Sequence, residues 1–75
     1  MLTNPTNEDR AAWAQQACDT FARVTNMDTA GEDMHTIMCD LLANMMHLAS
    51  QRGVDFDRVL WIARSHFDAE TDGEE

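Results

Sequence analysis

The chain has 75 residues, an apolar share of 44%, and fourteen Asp and Glu against five Arg, for a formal net charge of −9. That length leaves room for one domain, and the mixed composition excludes wholesale disorder. The acidic balance excludes attraction to nucleic acid or anionic membranes and favours basic protein surfaces. A domain this short buries only about 60% of the surface its unfolded form exposes, so a second copy would add useful buried area.

The opening residues, MLTNPTNEDR, contain neither an apolar core segment nor an early cation, so no signal peptide is expected. No apolar run approaches the ~20 residues that cross a bilayer. A cytoplasmic location is therefore expected, with Cys18 and Cys39 as reduced thiols. Their spacing fits neither a disulfide framework nor a zinc motif, and no cofactor or metal is expected. Every long segment carries helical period and none alternates like a strand. The expected fold class is all-α: a compact three-helix bundle over residues 1–67, followed by an acidic, disordered tail over 68–75.

The first helix is expected from about Asn7 to Thr25. Asn4-Pro5 offers a cap followed by proline, and Thr6 with Asp9 offers a capping box. Trp13, Ala17, Phe21 and Val24 share one stripe, with Ala14 and Cys18 at its edge.

Thr25 to Gly31 reads as a connection. Thr29 with Glu32 forms a second capping box and is expected to open a helix that continues to Arg52. Met34, Ile37, Met38, Leu41, Met45 and Leu48 make its main face, read as core. Leu42, Met46 and Cys39 widen the apolar arc to roughly half the circumference, more than one neighbour covers. Met46 and Leu42 on that second face suit either core or an adaptable interface.

Gly53 is expected to stop this helix in a left-handed conformation, with Val54 following. Asp55 then caps the third helix, and Val54 can pack on Val59. The result is a tight antiparallel hairpin. The third helix, about Phe56 to Ala69, is read as turning Phe56, Val59, Leu60, Ala63 and Phe67 inward.

Asp40-Leu41-Leu42, Leu48-Ala49, Gly53-Val54-Asp55 and Phe67 give this hairpin a resemblance to the MazG-like all-α nucleotide pyrophosphohydrolases. Such a relationship implies carboxylates converging on Mg²⁺, arranged as E-x-x-E on one helix and E-x-x-D on the next. Only Asp40 stands at a metal position here; three residues earlier is Ile37, and the first helix offers Asp19 without an E-x-x-E. Arg64 and His66 replace the Asn and Lys that members carry late in the third helix. The resemblance therefore implies a scaffold whose metal site has been lost.

Three further clusters are legible. His35 and Cys39, one turn apart, could share a metal with Cys18 or His66, but edge packing is the plainer use of both. Asp40, Asn44, His47 and Gln51 line a polar side on which Asp and His could pair, without a nucleophile beside them. Trp61 stands about 140° from Phe56 on the helical wheel, among Arg58, Arg64 and Ser65. Trp and Arg dominate interface hot spots, so this group either meets a partner or caps the bundle.

Two functional expectations follow. The first is a non-enzymatic interaction protein, similar to the small acidic accessory proteins of phages and mobile elements, anti-CRISPR inhibitors among them. It would occupy a basic surface on a larger host protein or ribonucleoprotein complex through Trp61, Arg58, Arg64, Met46, Asp55, Asp57, Glu32 and Asp33. Its carboxylates, with Asp28 and Asp40 added, could imitate a phosphate row. The second is a diverged MazG-like homo-oligomer that assembles Asp40, Asp19 and Glu32 from different copies. A plain homodimer is a third arrangement compatible with the wide apolar arc.

Overall fold

The computed structural model describes residues 4–27 and 33–73. It is an all-α three-helix bundle: α1 spans Asn7–Val24, α2 Met34–Arg52 and α3 Phe56–Gly73. Among the described residues there is no strand, and no helix is long and apolar enough to cross a membrane.

Local chemistry sets each helix end. Of the two start signals on α1, the capping box prevails. The Asp9 N–H donates to the Thr6 hydroxyl at 3.1 Å, and the Thr6 N–H donates back to the Asp9 carboxylate at 3.0 Å. Two orphan donors are satisfied at once, which leaves Asn4-Pro5 upstream of the cap. The helix stops at Asn26, whose φ of 63° lies in the left-handed region. Met27 N–H then donates to the Ala22 carbonyl at 2.8 Å and Asn26 N–H to the Arg23 carbonyl at 3.3 Å. Asparagine tolerates that conformation better than most side chains, and the paired bonds form a Schellman stop.

The expected box of Thr29 and Glu32 lies outside the described residues. The cap on α2 is Asp33, whose carboxylate accepts from the Thr36 N–H at 2.8 Å. At the far end Gly53 adopts a φ of 69°, and both Gly53 and Val54 donate to the Ala49 carbonyl. Asp55 then accepts from the Arg58 N–H at 3.2 Å and opens α3. The stop-and-start turn between α2 and α3 therefore forms as its sequence requires.

Helix α3 continues to Gly73, past Ala69. The Thr71 hydroxyl donates to the Phe67 carbonyl at 2.9 Å, and Glu70 makes an ion pair with Arg10 of α1. The acidic segment 68–73 is thus helical rather than a loose tail. The expected helix end overlooked a long-range partner for Glu70.

The buried core is small. Cys18 and Ala22 of α1, with Ile37 and Ala49 of α2, are its fully buried members among the described residues. Three sit where α1 and α2 adjoin their connection, and Ala49 sits at the turn into α3. On α1 this corrects the expected stripe. The helix packs through Cys18 and Ala22 rather than through Trp13, Ala17 and Val24, and Val24 is 77% exposed. Helix axes come closest where the intervening side chains are smallest, and Cys18 with Ala22 provides that path.

Candidate interaction surface

The turn at Gly53–Asp55 launches α3 from the end of α2, and Glu70 ties its far end to the first turn of α1. Between those anchors α3 has no buried residue. The expectation that Phe56, Val59, Leu60, Ala63 and Phe67 turn into the core is therefore corrected: Phe56 is half-buried, and the other four are exposed. The apolar period of α3 is real, but among the described residues no surface covers it.

The same holds along α2. Met34, Met38, Met45 and Leu48 belong to the face read as core, yet all are exposed, while Ile37 is buried and Leu41 half-buried. Leu42 and Met46 on the second face are exposed as well. Where α2 meets α3, Met45, Leu48, Ala49, Arg52, Val54, Phe56 and Val59 line an open apolar groove. A shallower depression farther along α3 is bounded by Leu60, Ala63, Arg64 and Phe67. The two features lie on one continuous stripe, since residues 56, 59, 60, 63 and 67 share a face of a helix with 3.6 residues per turn.

Trp61 occupies another side of α3 and is 68% exposed, so it neither covers α1 nor caps the bundle. Arg58, Arg64, Asp57 and Asp68 surround it in helical register and are all exposed. The indole thus stands in a ring of both charge signs, and its backbone carbonyl accepts from the Ser65 hydroxyl at 3.2 Å. Met46 is 54% exposed on α2.

The nominated carboxylates divide by use. Asp33 and Asp55 are helix caps whose oxygens already accept backbone N–H bonds. The Thr36 backbone N–H, and after it the Thr36 hydroxyl, holds the Asp33 carboxyl below its ordinary value, with a smaller pull from His35. Asp40 and Asp57 are exposed on α2 and α3, whereas Asp28 and Glu32 lie outside the described residues. Sequence spacing did not separate capping acids from acids left to face a partner. The Asp33-x-x-Thr36 cap signature was present but shadowed by Thr29 and Glu32.

The remaining clusters are sparse. His35 Nδ1 and Cys39 Sγ are 3.8 Å apart on an exposed face. Cys18 is buried in α1 and does not join them. Among the described residues no three His, Cys, Asp or Glu side chains converge in a way that could hold an ion. Ile37, at the position where a MazG-like helix carries a ligand, is 2% exposed and serves as core. Asp19 is exposed and accepts from Gln15 at 2.9 Å.

No protein-family model matches the chain, and comparison with curated proteins and with solved structures finds no match either. The MazG-like resemblance therefore rests on the residues from Asp40 to Phe67 alone.

Proposed function

We propose that this chain is a non-enzymatic interaction protein that docks on a basic surface of a larger host complex and blocks it. The observation that carries this reading is Trp61, an indole 68% exposed between Arg58 and Arg64 on a face that the other described residues leave open. A large aromatic left in water gains its burial energy, roughly 1.5–3 kcal/mol for a side chain of this class, only when something covers it. The flanking Arg side chains supply donors in fixed forks, and Asp57 and Asp68 add acceptors at the rim.

Net charge adds the second part of the mechanism. At −9 the chain is drawn to positive potential and repelled by negative surfaces. Carboxylates steer encounter with a basic groove, and Trp61 with Met46 supplies the apolar anchor after contact. A nucleic-acid-binding machine presents such a groove, and a CRISPR-type defence complex is the instance suggested by the likeness to phage and mobile-element accessory proteins. This action takes place in the cytoplasm and uses no cofactor.

Affinity capture from a bacterial lysate tests the proposal, with the wild-type chain beside Trp61→Ala at low and moderate salt. Stoichiometric recovery of a large basic complex, lost in the variant and weakened by salt, is the expected result. Equal recovery with both chains would remove Trp61 from the contact. Recovery of no other protein at low salt would overturn the reading.

A further inference from the structure

We propose that the apolar stripe of α3 and the groove beside it are covered by a second copy of this chain. The two α3 helices would run antiparallel about a two-fold axis. This inference is independent of the Trp61 face, which lies on another side of the same helix.

The first support is surface area. The chain exposes 6332 Å². A compact folded protein of 8.5 kDa exposes about 4,650 Å², so roughly 1,700 Å² is in excess. A standard interface covers about 800 Å² per partner and an obligate homodimer about 1,000–2,500 Å². The excess is more than the area one partner contributes to a standard interface. The Cα radius of gyration, 14.5 Å, likewise exceeds the roughly 11 Å of a self-contained 75-residue domain.

The second support is that the stripe is self-complementary. Phe56, Leu60, Ala63 and Phe67 are spaced four, three and four residues apart, an order that reads the same in both directions. An antiparallel copy therefore sets Phe56 against Phe67 and Leu60 against Ala63, twice over. Leucine against alanine is the large-to-small pairing that lets two helices approach closely. Phe67, 55% exposed, reaches the groove formed by Met45, Leu48, Val54, Phe56 and Val59 of the second copy. A two-fold contact must be complementary to itself, and a groove at one end of the stripe with a Phe at the other meets that condition.

Charge is consistent with the same register. Asp57 and Arg64 stand on one flank of the stripe, each about 70–90° from its centre. Reversal about the two-fold axis brings Asp57 of one copy beside Arg64 of the other, within one helical turn. A parallel copy would place this flank against the opposite flank of its partner and would not pair the two charges.

Sedimentation equilibrium of the full chain at micromolar concentration should give twice the 8.5 kDa mass. In a Cys39→Ser background, Ala63→Cys near the two-fold axis should cross-link under mild oxidation, because symmetry brings its two copies within disulfide reach of about 7 Å. Ser65→Cys, on the opposite side of α3, should not. Adding Phe67→Glu should weaken association at least tenfold and abolish the Ala63→Cys cross-link. A folded wild-type chain that sediments at its single mass overturns the proposal. So does a dimer in which Ser65→Cys cross-links and Ala63→Cys does not, or a stripe covered only after a different protein is added.

Discussion

The Arg10 Nε lies 3.2 Å from the Glu70 Oε2, which joins the first turn of α1 to the last turns of α3 across sixty residues of chain. Asn7 adds to the join, its side-chain amide donating to the Glu70 carbonyl at 3.3 Å. Both charged side chains remain about one-third exposed, so water screens the pair. Replacing Glu70 by Gln should cost less than about 1 kcal/mol of global stability. Its effect should instead be local: faster amide exchange from Glu70 to Gly73, with the protection of α2 unchanged. Uniform loss of protection in all three helices would show that this contact holds the whole bundle.

Gly53 is the backbone joint on which the placement of α3 depends. A methyl group there would meet no atom within 4 Å, yet the φ of 69° is one that L side chains rarely adopt. Gly53→Ala should therefore destabilise the fold by about 1–2 kcal/mol through backbone strain alone. Gly53→Asn should cost less, because asparagine visits the left-handed region, as Asn26 does in this chain. Urea unfolding of the three proteins would order them; an alanine variant as stable as wild type would refute the strain account.

Asp33 makes the start of α2 sensitive to acid. Its folded carboxyl is a stronger acid than an ordinary aspartate because the Thr36 N–H stabilises the charged form. The contribution is complete above the unfolded value of about 3.9 and is lost as pH falls through the lower folded value. Helical circular dichroism should show this acid step in the wild-type chain. In Asp33→Asn, which keeps a capping oxygen but cannot ionise, the step should shrink.

Among the described residues Ile37 is the largest member of a core otherwise made of Cys18, Ala22 and Ala49. Truncation to alanine should cost about 2–4 kcal/mol, a large share of what so small a domain can hold. Thermal unfolding would read this directly. Loss below about 1 kcal/mol would mean that burial elsewhere, such as between copies, dominates the stability.

The helix ends were largely legible because they are local events. Thr6 with Asp9, Gly53 with Val54, and Asp55 each act within five residues, so their bonds could be written down from spacing alone. Asn26 and Asp33 are equally local, but Asn26 falls inside the segment that reads as a connection and Asp33 stands beside the stronger-looking pair of Thr29 and Glu32. The helical period of all three segments was legible for the same reason: it repeats every turn.

Which apolar face is covered is a property of relative helix placement, and no single segment contains it. The sequence by itself determined an all-α chain, the stop and start between α2 and α3, the acidic charge and an apolar arc on α2 too wide for one neighbour. Only the tertiary structure decided that α1 packs through Cys18 and Ala22, that Trp61 faces water, and that α3 runs to Gly73 to meet Arg10. It also decided that Val59, Leu60, Ala63 and Phe67 are left exposed by the other described residues. Periodicity marks a face as apolar, but the surface that buries it can belong to another molecule.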